Sequence, residues 1–165
     1  INETDPDKLD HAYDILNKQS SDVLAYYVDE TCDEMVAENA AIAVCYSGEA
    51  ASAMDANENL DYIVPEEGSN LWIDSWFIPK TCKNQEGAQA FLNYLCDDEP
   101  AELNFEYVYY ASPIQSVCDN QDQETKENEA INPPADMVKN CEVYRALTDD
   151  EATLYNTLWQ RLKSN

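Results

Sequence analysis

Hydrophobic positions along this chain switch between helical spacing and short unbroken runs. Leu9, Ala12, Tyr13 and Leu16 recur every three or four residues, the period of a helix with one apolar face. Thr4-Asp5-Pro6-Asp7 just before them has the chemistry of a helix start: a capping side chain, proline in the first turn, and acids at the positive end of the dipole. Residues 22–28 predict a strand and residues 33–38 one short helical turn. Ala40-Ala41-Ile42-Ala43-Val44-Cys45-Tyr46 is a continuous apolar run of strand length, the kind that an α/β sheet covers on both faces. Ser47-Gly48 ends it, and the alanine-rich stretch 49–56 predicts a helix. Residues 60–64 form another short strand, stopped by the turn Pro65-Glu66-Glu67-Gly68.

The second half continues the alternation. Residues 72–78 predict a strand. Residues 84–96 predict an amphipathic helix with Ala88, Phe91, Leu92 and Leu95 on one face, and 100–107 a further helix. Ala111-Ser112-Pro113 breaks the pattern. From 119 to 132 the chain is polar and acidic and predicts a loop. Thr148 and Glu151 have capping-box spacing, and Ala152, Tyr155, Leu158, Trp159 and Leu162 form the apolar stripe of a last helix, with Arg161 and Lys163 at its C-terminal end. Strands alternating with helices indicate an α/β architecture. Only about four or five strands emerge, few for a complete doubly wound domain, so the chain reads as part of something larger. Trp76 and Trp159 are expected in the core, and His11 at the solvent edge of the first helix.

Charge narrows the partners. Among 165 residues, 34 are Asp or Glu and 9 are Lys or Arg, a formal charge of −25. Nucleic acids and anionic membranes require a basic footprint, so the charge argues against them as partners, whereas cations would be enriched near such a surface. An apolar share of 44% is that of a folding chain. No run approaches the ~18–20 apolar residues of a membrane span. Ile1-Asn2-Glu3-Thr4 reads as the middle of a protein, so a targeting or anchoring segment is expected upstream. Six scattered cysteines form no C-x-x-C pair, which argues against structural zinc and for mostly free thiols, with Cys45 and Cys96 as small buried hydrophobes.

The chemistry concentrates in Leu71-Trp72-Ile73-Asp74-Ser75-Trp76. In an extended stretch Trp72, Asp74 and Trp76 share a face. An indole beside a carboxylate holds an organic cation: the π-face attracts it, and the carboxylate neutralises it and accepts its hydrogen bonds. The plainer reading of the same residues is a core strand with a capping aspartate. The adjacent pairs Tyr109-Tyr110 and Tyr26-Tyr27 raise ferric ion as an alternative cargo, through neighbouring tyrosinates. No G-x-S-x-G, H-E-x-x-H or P-loop motif occurs, so nothing indicates an enzyme. A non-catalytic interaction module is the remaining alternative.

Taken in order, the segments resemble the second half of the bacterial spermidine/putrescine-binding proteins, the extracellular solute receptors of polyamine ABC importers. The resemblance covers nearly the whole chain. Its specific part is Asp61-Tyr62-Ile63-Val64-Pro65-Glu66-Glu67-Gly68 followed by Leu71-Trp72-Ile73-Asp74-Ser75. Around this lie Ala43-Val44-Cys45-Tyr46-Ser47-Gly48-Glu49-Ala50, then Phe91-Leu92-Asn93-Tyr94-Leu95 within the long helix, then Tyr110-Ala111-Ser112-Pro113.

The resemblance implies part of a two-lobed, type II periplasmic-binding-protein-like α/β fold, incomplete in this chain, which closes on its ligand. Residues 1–73 would belong to the second lobe, 74–114 would return to the first lobe, and 115–165 would go back to the second with the terminal helix. Trp72 and Asp74 match an aromatic platform and a carboxylate that contact the polyamine. Tyr46 stands where the family commonly has Trp, and Tyr110 matches a tyrosine of the same cleft. Tyr144 stands where the family has a Gln that bonds a terminal amine, which leaves the choice between spermidine and putrescine open. The implied partners are the polyamine and the permease subunits of an ABC transporter, with no cofactor and no metal. The implied location is the outer face of the cell membrane or the periplasm. Half a receptor would expose apolar surface, so dimerisation or strand exchange between copies is expected.

Overall fold

Helices form where the caps predict them, whereas the apolar runs stay unpaired. The computed structural model describes residues 2–164. Helix α1 (Pro6–Lys18) starts where the Asp5 carboxylate accepts the backbone N–H groups of Asp7 and Lys8 at 2.9 and 3.3 Å. Leu9 is its buried residue, and His11 is exposed. A single 3-10 turn, Ser20–Asp22, follows.

Helix α2 (Thr31–Val36) packs on α3 (Ser47–Ala56). The buried face of α3 is Gly48, Ala50, Ala51 and Ala53, small side chains that let neighbouring backbone come close. Ala51 joins Ala130 and Ile131 in a buried cluster, with Met54, Tyr62, Phe105 and Tyr109 packed around it. Helix α4 (Gln85–Tyr94) is capped by Asn84, whose side chain accepts the Gly87 N–H at 2.9 Å. Helix α5 (Asp98–Val108) packs on α6 (Gln115–Asn120), burying Ala101 and Val117.

The expected loop at 119–132 is instead largely structured. It holds the end of α6, the short helix α7 (Gln123–Glu127), and the core residues Ala130 and Ile131. Side chain-to-backbone bonds organise it, not an apolar period. Asp122 accepts the Thr125 N–H at 2.8 Å, Asn128 accepts that of Ala130 at 2.9 Å, and the Asn132 amide donates to the Thr125 carbonyl at 2.8 Å.

Helix α8 (Asp149–Lys163) has the expected capping box, with the Glu151 carboxylate 2.8 Å from the Thr148 N–H. Arg145 forks onto both Glu151 oxygens at 2.7 and 3.0 Å. Helices α1 and α8 pack together: the Tyr155 hydroxyl donates to the Glu3 carbonyl, and Arg161 lies 4.1 Å over the Tyr13 ring. Trp159, expected in the core, is 42% exposed, with one edge contact to Tyr26 at 4.8 Å.

Among the described residues the expected strands at 22–28, 40–46, 60–64 and 72–78 form no ladder. One isolated parallel bridge joins Asn70 to Glu142. A strand is defined by a neighbour that takes its N–H and C=O groups, and no described segment lies beside these runs to do so. Their side chains are correspondingly uncovered: Val44 is 97% exposed, and Ile42, Ile63, Ile73 and Phe77 are exposed too. Trp76, also expected in the core, is 76% exposed for the same reason. The face of α4 bearing Phe91 is likewise bare. All six cysteines are free; Cys45 is half-buried, and Cys96 is exposed rather than buried.

The α8 cap makes stability acid-sensitive. The Arg145 guanidinium and the Thr148 N–H hold the Glu151 carboxyl down from its ordinary 4.5 to about 2. The unfolded chain therefore binds more protons between these values, so the contribution is full above pH ~4.5 and fades as pH falls toward 2. Replacing Glu151 with Gln is expected to flatten this part of the pH–stability profile, as measured by urea unfolding at a series of pH values.

Candidate functional site

Two distant parts of the chain are strapped together beside the turn at 65–68. Gly68 closes that turn with a positive φ of 99° and an N–H bond to the Pro65 carbonyl at 2.9 Å. A Cβ at Gly68 would collide with the Asn140 carbonyl, so only glycine fits. The Asn140 amide donates to the Glu66 carbonyl at 2.8 Å. The Glu142 N–H donates to the Ser69 carbonyl at 3.0 Å, and the Leu71 N–H to the Glu142 carbonyl at 2.8 Å. The strap carries Tyr144 to the side of Asn70 and Trp72.

The other wall is built at the start of α3. Tyr46 has extended backbone (φ −76°, ψ 150°), and its N–H is 3.4 Å from the Glu49 carboxylate. Gly48 lies under Tyr110: a Cβ there would come within 2.7 Å of two ring carbons and 2.6 Å of the Val108 carbonyl oxygen. Tyr109, in the left-handed region at φ 57°, turns the chain between α5 and Tyr110. It splits the tyrosine pair, with Tyr109 on the Ala51 cluster and 3.5 Å from Asp55, and Tyr110 on the opposite wall.

These elements enclose an open cavity of about 410 Å³ lined by Tyr46, Asn70, Trp72, Asp74, Tyr110 and Tyr144. All five residues singled out in the sequence line it. Asn70 was not among them, although it stands two positions before Trp72 in the same alternation. Leu71 and Ile73 do not line the cavity, as expected of an extended stretch. Trp72 makes edge-to-face contacts with Tyr46 at 5.8 Å and Tyr110 at 5.1 Å, so the three rings form a continuous wall.

No Lys or Arg lines this space, and Asp74 has no ion pair among the described residues. Burial first, and then the nearby Glu49 and Asp74 among other groups, push Tyr110 up to about 12, so it stays a neutral phenol. Ring faces plus a free carboxylate suit an organic cation with an apolar stem. Among the described residues no cluster of three or more His, Cys, Asp or Glu is placed to hold a metal. A second recess, about 570 Å³, has Asp61, Glu124, Glu127 and Glu129 but only one ring, that of Tyr62.

Residues 3–133 match the bacterial extracellular solute-binding protein family, and the chain belongs to it. It is 28% identical over 163 residues to the spermidine/putrescine-binding periplasmic protein of Escherichia coli, covering 99% of this chain and 47% of that protein. Two solved structures are each 39% identical to it. One is a spermidine/putrescine ABC transporter substrate-binding protein from Streptococcus pneumoniae in complex with calcium and HEPES (TM-score 0.83, 99% of this chain, 50% of that one). The other is a putative spermidine/putrescine ABC transporter from Listeria monocytogenes (TM-score 0.88, 98% and 50%). The chain thus spans about half the length of these relatives and has the α/β architecture of part of a two-lobed periplasmic binding protein.

The space under Tyr110 yields a prediction. Gly48→Ala is expected to tilt the ring away from Trp72 at a stability cost of ~1–3 kcal/mol, as overpacking generally does. Near-ultraviolet circular dichroism should report the altered ring coupling, while far-ultraviolet helicity stays unchanged.

Proposed function

We propose that this chain forms about half of an extracellular receptor that captures a polyamine, spermidine or putrescine, and delivers it to the permease of an ABC importer. The observation that carries this reading is one cavity combining three contiguous rings with a carboxylate that has no ion pair among the described residues. A polyamine is an apolar chain punctuated by ammonium groups. Burying an ammonium is costly unless a carboxylate and further acceptors meet it. Asp74 takes the ammonium, and Trp72, Tyr46 and Tyr110 flank the methylenes. Tyr144 offers a hydroxyl at the far side. Relatives named for spermidine and putrescine support the assignment. The role is capture without catalysis, at the outer face of the cell membrane or in the periplasm. Among the described residues no helix is long and apolar enough to cross a membrane.

In this reading residues 1–73 and 115–165 build the second lobe and 74–114 cross to the first. The packing of α1 on α8 supports a shared lobe for the two ends, whereas α5 on α6, and Phe105 and Tyr109 on the Ala51–Ile131 cluster, tie the end of the 74–114 segment to the second lobe as well. The unpaired runs are sheet surface that the remainder of a two-lobed receptor covers. In its absence, copies of this chain pair through the same edges.

Two outcomes are expected. In the intact receptor, Asp74→Asn should weaken polyamine binding by ~2–5 kcal/mol, roughly 30-fold to several-thousand-fold, as followed by calorimetry. An unchanged affinity would remove Asp74 from the site. The isolated chain should self-associate in sedimentation velocity, and Val44→Lys should suppress this by placing charge on an exposed edge.

A further inference from the structure

We propose that Asn2 is a positioning residue for the ligand wall: its side-chain amide stands in for a neighbouring strand beside Tyr144 and so fixes where that tyrosine meets the ligand. The proposal deepens the polyamine reading above and rests on it only for the ligand measurement. Residues 142–145 are exposed throughout, and the Tyr144 ring stacks on no other described ring. Packing therefore does little to place Tyr144, and its seat in the cavity depends on the backbone beneath it.

An extended backbone turns the N–H and C=O groups of successive residues to opposite edges. Glu142 uses its pair on one edge, donating to the Ser69 carbonyl at 3.0 Å and accepting the Leu71 N–H at 2.8 Å. The Val143 carbonyl and the Arg145 N–H belong to the other edge, and there Asn2 takes both. Its Nδ2 donates to the Val143 carbonyl at 2.9 Å, and its Oδ1 accepts the Arg145 N–H at 3.0 Å. One amide thus brackets Tyr144 as the N–H and C=O of one residue in a parallel strand would. Nδ2 also donates to the Glu142 carboxylate at 3.2 Å, so both donors of the amide are engaged. Asn2 lies in the left-handed region at φ 61°, which asparagine tolerates better than most residues. Its neighbour holds it there. The Glu3 carboxylate accepts the Thr4 and Asp5 N–H groups at 2.9 Å each, and the Glu3 carbonyl accepts the Tyr155 hydroxyl of α8. The stretch before α1 is thereby clamped to α8 and to the segment that carries Tyr144.

The test is a double-mutant cycle in the intact receptor, read by calorimetric titration with spermidine. Asn2→Gly removes the amide and accepts the positive φ without strain. It is expected to weaken binding about 10-fold, the scale of one or two neutral hydrogen bonds. In a Tyr144→Ala background the same substitution is expected to change affinity by less than about twofold. Equal losses in both backgrounds, or no loss with Tyr144 present, would overturn the proposal. Fluorine resonance of the receptor labelled with fluorotyrosine reads the same residue without ligand. Asn2→Gly should shift or broaden the Tyr144 signal and leave those of Tyr46 and Tyr110 in place; an unmoved Tyr144 signal also overturns the proposal. Asn2→Asp, which keeps the acceptor and gives up both donated bonds, is expected to act in the same direction and covers a poorly folding glycine variant. A receptor that binds no spermidine sinks the polyamine reading, while the fluorine signal still decides for or against Asn2.

Discussion

Three hydrogen bonds between residues 66–71 and 140–142 hold the site together. They join stretches some seventy residues apart, and they depend on a glycine whose backbone conformation and surroundings exclude any side chain. Without them, the extended wall bearing Trp72 and Asp74 would have no fixed neighbour, since no sheet supports it among the described residues. The ring-to-ring contacts are worth about 0.5–1.5 kcal/mol each beyond their buried area and refine the arrangement.

Much of this was legible in the residues. Asp5 and the Thr148–Glu151 box mark helix starts because capping is local chemistry, decided within four residues. Trp72 and Asp74 were legible as a pair because alternation follows from an extended backbone. Pairing was not legible. The run 40–46 has the composition of a buried strand, yet Val44 is almost wholly exposed, because composition says what a segment can be buried in and not whether that partner is present. Residues 119–132 misled in the opposite sense: their acidic surface conceals Asp122, Asn128 and Asn132, whose side chains fold the stretch around two apolar residues. Asn70 was not legible because an amide has neither charge nor ring; its place in the cavity depends on a single bridge from Glu142.

Exposed apolar runs and a charge of −25 act against each other. Bare strand edges invite association, and like charge resists it over roughly a Debye length, about 10 Å at 0.1 M salt. The acidity that would draw cations toward the cavity also opposes association of these surfaces.

Tyr109 joins the Ala51 cluster to the cavity wall. A non-glycine residue in the left-handed region stores roughly 1–2 kcal/mol, so it must be held there by its surroundings. The hold comes from packing on Ala51, Ala130 and Ile131. The aim of Tyr110 is thus set by its neighbour's packing as well as by its own contacts with Gly48 and Trp72. A methyl group gained or lost at Ile131 would be transmitted through one strained peptide unit to the ligand wall, as a lever moves about its pivot.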